Sequence, residues 1–211
     1  MTAETAEPAR RWRGQTHDDR IRVRRAQLLR AGFELLGTDG AAGVTMRAVC
    51  RRAGLSPRYF YESFTDTDAL TVAVYDRCNT ELVAVITEAV APHHQPAEAV
   101  AAAVDAAARY FESDARRVRI LLREPLSSAL LGGRRADVLP GLLTGLMAVA
   151  TAPGPQFSPV EYALNASALS GALSALVLDR ADGRLVVSRA DLVGHATNLV
   201  LDSLGLPPSG T

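Results

Sequence analysis

The side chains of this sequence that could do chemistry are concentrated between residues 45 and 62. One cluster offers the hydroxyl and guanidinium groups that bind phosphate oxygens and base edges: Ser56, Arg58, Tyr59 and Tyr61. Arg47, Arg51 and Arg52 precede this cluster and would attract a polyanion whatever its base sequence. These residue types suit nucleic-acid binding, although solvated arginines on helix surfaces would have the same composition.

Charge is distributed unevenly along the chain. The 211 residues include 23 basic and 23 acidic side chains, so that the formal net charge is zero. Every basic residue is an arginine, and residues 1–65 hold twelve of them against seven acids, while acids are in excess afterwards. This asymmetry predicts that the first third of the chain meets a polyanion and that the rest does something else.

The elements that must position these side chains are predicted to be helices. Apolar residues recur every three or four positions and show no convincing two-residue alternation, which indicates an all-α protein. The first helix is expected from about Asp19 to Thr38. Thr45 then caps a short second helix, which Gly54 ends in a tight turn.

A third helix is expected to follow this turn at once. Ser56 is its N-cap, and Pro57 takes the first helical position, where the missing N–H costs nothing. Phe60 and Phe64, four positions apart, can both turn inward. Two short helices joined by a glycine turn match the helix-turn-helix pattern, whose second helix lies in the major groove of DNA.

About nine helices are expected in all. Thr65 and Asp68 form a capping box that opens the long fourth helix, and Pro125 breaks the pattern after the sixth. Residues 92–96 are a linker, and residues 132–135 form an exposed loop. Helices four to nine are predicted over about residues 66–91, 97–111, 115–123, 137–150, 158–180 and 188–204.

Several other functions are not supported by the sequence. Cys50 and Cys78 lack paired spacing, so neither a disulfide framework nor a zinc site is indicated, and His93-His94 lacks further metal ligands. The common nucleophile, metalloprotease, phosphate-loop and dinucleotide motifs are absent, so no enzyme and no cofactor is expected. The uncharged stretch 162–178 contains several serines and a glycine, which favours a buried or dimer-forming helix over a membrane span.

A longer pattern extends over about residues 20–70. It consists of Arg25–Leu29, Phe33–Leu36, Gly40, Gly43–Val49, Ala53–Ser56 and Phe60–Phe64. This pattern resembles the TetR family of bacterial repressors, and it is specific because many positions are fixed at once. The resemblance implies an N-terminal three-helix helix-turn-helix DNA-binding domain, followed by a helical ligand-binding and dimerisation domain.

The resemblance also assigns roles to individual residues. Residues that match Thr45 and Tyr61 contact phosphates in that family, and the first residues of the third helix face the groove. Arg58 stands where glycine is common and adds a candidate for guanine readout, whereas Thr67 stands where lysine is common and removes a phosphate contact. The expected DNA-binding residues are Thr45, Arg47, Ser56, Pro57, Arg58, Tyr59, Tyr61 and Thr67.

Three regions are expected along the chain. Residues 1–18 form a flexible basic arm, residues 19–65 the DNA-binding domain and residues 66–211 the ligand-binding and dimerisation domain. The run Arg10-Arg11-Trp12-Arg13 either enters the minor groove or belongs to a disordered basic tail.

The last two helices are expected to form a homodimer interface. The penultimate helix is small or apolar almost all round, which suits close helix packing, although packing within one subunit would leave the same pattern. A twofold dimer would read a palindromic operator. The expected interface residues are Leu164, Ala168, Gly171, Ala172, Ala175, Leu192, Ala196 and Leu199.

A mainly apolar ligand pocket is expected between helices of the second half. Any one of its residues, taken singly, could equally be ordinary core. The expected lining residues are Tyr75, Cys78, Tyr110, Phe111, Leu122, Leu126, Met147 and Tyr162.

Together these observations predict a dimeric, cytoplasmic transcriptional repressor. It would bind a palindromic operator in double-stranded DNA and be released by a small, mainly apolar inducer. Two alternatives remain open: a helix-turn-helix activator or ligand-independent regulator, and a helical small-molecule carrier whose basic first third is incidental.

Overall fold

Every regular element is a helix within residues 17–137 and 157–206, the parts of the chain that the computed structural model describes. The all-α prediction is therefore confirmed. The predicted arm over residues 1–18 lies almost entirely outside this range, as does the helix predicted over residues 137–150.

The helices of the first half begin and end close to the predicted positions. They are α1 (His17–Asp39), a 3-10 turn (Ala41–Gly43), α2 (Met46–Ala53), α3 (Pro57–Ser63), α4 (Thr67–Val90) and α5 (Pro96–Ser113). The second half contains α6 (Ala115–Val118), a π-helical turn (Arg119–Arg123), α7 (Glu124–Ser127), α8 (129–137), α9 (Pro159–Ala181) and α10 (Arg189–Ser203).

One apolar core joins the basic first third to the rest of the chain. Its fully buried members include Leu28 and Leu36 of α1, Phe60 of α3, Leu70 of α4 and Ile120 of the π-helical turn. Side chains from both halves interdigitate in this cluster. A shift of the π-helical turn would therefore change the packing around α1.

A second apolar cluster joins α5 to the last two helices. Val100 of α5, Leu169 of α9 and the α10 residues Val200, Leu201 and Leu204 are buried together there. Helix α5 therefore packs against α4 on one side and against α10 on another. In the described part of the chain, no helix is both long enough and apolar enough to cross a membrane.

The predicted capping box at the start of α4 is wrong. Asp66, and not Thr65, is the N-cap, and its carboxylate accepts a hydrogen bond from the backbone N–H of Ala69 at 2.7 Å. Aspartate competes well for this position because its charge also faces the positive end of the helix dipole.

Two predicted interruptions are helical instead. Pro125 lies in the first turn of α7, where a proline needs no N–H partner within that segment. The predicted loop 132–135 belongs to α8, despite its two glycines. Leu131 beside them is fully buried, and Arg134 pairs with Asp76 of α4, so tertiary contacts override the weak helix propensity.

Candidate nucleic-acid interface

Helix α2 is fixed at both ends by the residues that the sequence indicated. The Thr45 hydroxyl accepts a hydrogen bond from the backbone N–H of Ala48 at 3.2 Å, which caps the first turn. Gly54 has φ of +67°, and the N–H of Leu55 bonds back to the carbonyl oxygen of Cys50 at 3.0 Å. This left-handed termination turns the chain sharply into α3.

Helix α3 divides its side chains between the core and the surface. Phe60 and Phe64 are buried as expected, and their rings lie 6.1 Å apart. Tyr61 is 61% exposed, and the side chain of Arg58 is 84% exposed. Ser56 is the N-cap residue, but its side chain makes no capping hydrogen bond, so its hydroxyl stays available at the exposed end of the helix.

Arginines of α1 hold α3 in place, a role that the sequence did not reveal. The Arg24 guanidinium lies 4.3 Å from the centre of the Tyr59 ring and donates to Glu62 at 3.1 Å. Arg25 donates to the carbonyl oxygen of Ser63 at 2.6 Å and covers the Phe64 ring. These contacts fix the angle of α3 on α1.

Three arginines of α1 have partners within the fold. Only 18% of the Arg24 side chain is exposed, Arg25 is bound to the end of α3, and Arg22 forms an ion pair with Asp19. Arg52 of α2 also has a partner, since it pairs with Glu34 at 2.9 Å.

Two arginines of α2 keep their charge uncompensated. Arg47 and Arg51 are exposed, and neither has an ion-pair partner within residues 17–137 and 157–206. Arg58 of α3 shares Glu62 with Arg24, through a bond of 3.3 Å from its Nε, so its two terminal nitrogens remain free for a ligand. The surface formed by α2 and the exposed side of α3 thus presents arginine, tyrosine and hydroxyl groups together.

Thr67 begins α4 at the edge of this surface. It is partly buried, and its carbonyl oxygen accepts a hydrogen bond from the Thr71 hydroxyl at 2.8 Å. The exposed carboxylates of Asp66 and Asp68 flank it. The start of α4 is consequently more negative than α2.

A cavity of about 190 Å³ lies in the second half of the chain, enclosed by α4, α5, α9 and α10 together with the π-helical turn. The wall residues that the structure describes are apolar except for two serines. They are Leu82, Ile86, Val100, Ala103, Val104, Ala107, Ala108, Phe111, Leu122, Ser170, Leu173, Ser174, Leu176, Val177, Leu192, Val193, Ala196 and Val200.

Of the predicted pocket residues, Phe111 and Leu122 line this cavity. Tyr75, Cys78 and Tyr110 are buried in the main core cluster instead, and Tyr162 packs against the second cluster. Leu126 is 67% exposed because it lies on the outer side of α7, and Met147 lies outside the described residues. Sequence reasoning missed the alanines of α5, whose small side chains create the space.

The residues predicted at the dimer interface fall into two groups. Leu164, Ala168, Gly171 and Ala175 are exposed along one side of α9, where Leu164 is 65% exposed, and Ala172 is half-buried beside them. The α10 residues are not on that side. Leu192 and Ala196 are buried as cavity walls, and Leu199 packs against the second cluster, because α10 turns its apolar face toward α5 of the same chain.

The thiol of Cys78 and the phenol of Tyr110 are buried in the main core cluster and have a structural role. The Tyr110 hydroxyl donates to the carbonyl oxygen of Cys78 at 2.8 Å. Burial raises the pKa of the Cys78 thiol to about 12 and also raises the pKa of Tyr110, so both stay protonated at neutral pH. The described residues contain no group of three His, Cys, Asp or Glu side chains placed to bind a metal.

A polar junction connects the second half to the end of α1. Glu124 accepts hydrogen bonds from the backbone N–H of Ala41 at 2.9 Å and from Nε of Arg119 at 3.0 Å. Arg119 also donates to the carbonyl oxygen of Thr38 at 2.6 Å. The guanidinium thereby pairs with a carbonyl oxygen in the last turn of α1, and the carboxylate pairs with the first N–H of the 3-10 turn that follows.

Comparison with known proteins places the candidate interface within a described family. Residues 28–74 match the family described as bacterial regulatory proteins, tetR family. This range covers the C-terminal half of α1, all of α2 and α3, and the first turns of α4. No curated protein matches the sequence significantly.

Solved structures share the fold of the chain. A TetR-like transcriptional regulator from Rhodococcus sp. RHA1 is 22% identical, with a TM-score of 0.66 over 87% of this chain and 96% of that one. The fatty acid degradation regulator FadR from Bacillus halodurans is 15% identical, with a TM-score of 0.70 over 87% and 97%. A TetR family transcription regulator from Marinobacter aquaeolei VT8 is 16% identical, with a TM-score of 0.68 over 89% and 98%.

Proposed function

Since this chain belongs, by its residues 28–74, to the TetR family of bacterial transcriptional regulators, we propose that it is a ligand-released repressor. The protein binds a palindromic operator as a homodimer, and a small, mainly apolar molecule releases it from the DNA. This function would place the protein in the cytoplasm with the chromosome. The proposal that the protein binds DNA rests mainly on α3, which buries one side of the helix and exposes the other. Phe60 and Phe64 anchor the helix, while Arg58 and Tyr61 project outward.

Each exposed group has a role in this proposal. In this proposal Arg47 and Arg51 contact phosphates without reading sequence, and the Thr45 and Tyr61 hydroxyls fix the register on the backbone. Thr67 offers only a hydroxyl there, where the family commonly has a lysine. Ser56, Pro57, Arg58 and Tyr59 face the major groove, where the terminal nitrogens of Arg58 can bond O6 and N7 of a guanine.

The exposed side of α9 supports a homodimer. An apolar stripe that includes Leu164 and Ala168 would be covered by the same stripe of a second copy in a twofold arrangement. Two copies of α3 would then reach successive major grooves, roughly 34–36 Å apart, which requires a palindromic operator.

The cavity enclosed by α5, α9 and α10 is the proposed inducer site. A ligand there favours one of two arrangements of α4 and the π-helical turn, and both elements share the main core with α1. Release follows if the arrangement that binds the ligand better places the two α3 helices out of register with the operator.

Binding to duplexes from the upstream intergenic region of its own gene tests this proposal. The purified protein and its Arg58→Ala variant are compared at two salt concentrations with competitor DNA present. We expect the wild type to retain one palindromic fragment, with an affinity that falls steeply with salt, and Arg58→Ala to discriminate less between sequences.

The other outcomes select among the alternatives. Sequence-blind binding to every fragment, also in a genome-wide selection, would support the helical carrier. Specific binding combined with increased expression of a reporter gene would support an activator. Specific binding that no small molecule changes would support a ligand-independent regulator.

A further inference from the structure

Arg135 of α8 is a partly buried cation that contacts two serines of the cavity wall. Its Nη2 donates to the Ser170 hydroxyl at 3.0 Å and to the Ser174 hydroxyl at 3.3 Å. No carboxylate within residues 17–137 and 157–206 forms an ion pair with it. Its neighbour Arg134 is different, since Asp76 binds that guanidinium through two bonds of 2.7 and 2.9 Å.

The two serines connect this cation to the cavity. They are four residues apart on α9, one turn from each other. In the described part of the cavity wall they are the two polar residues, and the others are aliphatic or aromatic. Because their oxygens accept from Arg135, their hydroxyl protons are available to a second acceptor. A partly buried cation and two hydroxyl donors beside an apolar space form a site for an anion that carries an apolar chain.

The charges of the surrounding walls agree with an anionic ligand. Among the residues that the structure describes, the cavity wall contains no aspartate and no glutamate. A wider surface groove between α4 and α5 differs in this respect, because its acidic residues Glu81 and Asp105 already have arginine partners in Arg117 and Arg109. Arg135, by contrast, donates to hydroxyl groups of the cavity wall.

We propose that the ligand of this cavity is an aliphatic monocarboxylate, with its chain in the cavity and its carboxylate held by Arg135, Ser170 and Ser174. This identification rests on the proposed inducer site and adds the chemical class of its occupant. Arg135 is also the residue that makes the site bind a carboxylate more tightly than an uncharged molecule with the same aliphatic chain.

Calorimetric titration of the full-length protein tests the inference without DNA. The probes are hexanoate, decanoate and tetradecanoate, and decanol serves as the uncharged match of decanoate. We expect at least one alkanoate to bind, and decanoate to bind about tenfold or more tightly than decanol. Arg135→Gln is expected to remove that preference while decanol binding stays unchanged.

Three further variants distinguish the loss of the contact between Arg135 and the carboxylate from a general loss of folding or cavity shape. Arg135→Lys keeps the charge and should keep part of the preference for decanoate. Ala107→Leu fills the cavity and should weaken the binding of both decanoate and decanol. Arg184→Gln removes a paired surface arginine and should change the binding of neither. Thermal unfolding followed by circular dichroism checks that each variant folds. Equal affinity for decanoate and decanol, no binding of any alkanoate, or a preference that survives in Arg135→Gln would overturn the inference.

Operator binding is measured separately, so the two proposals fail independently. If decanoate binds through Arg135 but leaves operator affinity unchanged, the carboxylate site stands and ligand release by it is wrong. If another molecule releases the operator and no alkanoate binds, the repressor proposal stands and the carboxylate inference is wrong.

Discussion

Glu124 accepts a hydrogen bond from the backbone N–H of Ala41 at 2.9 Å, although the two residues are 83 positions apart in the sequence. Arg119 completes the contact by binding both Glu124 and the carbonyl oxygen of Thr38. The end of α1 is thus attached to the π-helical turn and α7 through polar groups as well as through the apolar core.

We expect Glu124→Ala to lower the free energy of unfolding by about 2 kcal/mol, because it leaves Arg119 and the Ala41 N–H without their acceptor. Urea denaturation followed by circular dichroism measures the change. Glu88→Ala, at an exposed position of α4, is the matched control and should stay within about 0.5 kcal/mol of the wild type. Equal losses in both variants would show that the junction adds no stability.

Gly40 and Gly54 both have positive φ but differ in their surroundings. A Cβ atom at Gly40 would lie 2.7 Å from Arg119 Nη2 and 2.7 Å from Glu124 Oε1, whereas a Cβ at Gly54 would meet nothing within 4 Å. We expect Gly54→Ala to cost about 1 kcal/mol from backbone strain alone, and Gly40→Ala to cost more. The same denaturation experiment ranks the two, and a larger loss at Gly54 would contradict the crowding argument.

Arg47 and Arg51 should contribute to operator binding through phosphates alone. Replacing either one by glutamine is expected to weaken binding to every duplex similarly and to lower the slope of log affinity against log salt by roughly one. Fluorescence anisotropy at several salt concentrations measures both quantities. Arg184→Gln, in the turn before α10, is the control, and a change of base preference in Arg47→Gln would mean that this residue reads sequence.

The exposed stripe of α9 should be the surface that a second copy covers. We expect Leu164→Glu to shift the protein toward monomer, because it places a charge in the proposed apolar contact. Light scattering during size-exclusion chromatography reports the mass at several concentrations. Val186→Glu, in the loop between α9 and α10, should leave the mass unchanged, and a dimer that persists in Leu164→Glu would place the interface elsewhere.

Stability should fall at high pH because Cys78 resists ionisation in the folded state. Its pKa is raised by burial from 9.0 to about 12, so above pH 9.0 the unfolded chain loses a proton that the folded chain keeps. The free energy of unfolding then decreases as pH rises, by up to about 1.4 kcal/mol per pH unit for this group. Urea titrations between about pH 8 and pH 10 should show a shallower fall in Cys78→Ala than in the wild type, and equal slopes would contradict the assignment.

The parts of the fold that depend on local chemistry were predictable from the sequence. Thr45 and Gly54 act within one helical turn, so their residue types are sufficient to place the two ends of α2. At the start of α4 two neighbouring residues, Thr65 and Asp66, could both cap, and the pattern favoured the wrong one.

The parts that depend on packing between distant helices were not predictable. The 3.6-residue period identifies an apolar face on α10 but not the partner that covers it, and Leu192 and Ala196 proved to face α5 of the same chain. Arg24 and Arg47 are both arginines on predicted helices, and the sequence does not distinguish them. Only the fold shows that Arg24 lies against Tyr59 while Arg47 stays exposed. The exposed residues of α3, by contrast, follow from the inward direction of Phe60 and Phe64.

The contact of Arg24 with Tyr59 and Glu62 limits how α3 can be exchanged between proteins. A chimera that receives only residues 56–62 would lack the α1 arginine that sets the tilt of this segment. Transplanting its base preference into another scaffold therefore requires Arg24 to be moved with it.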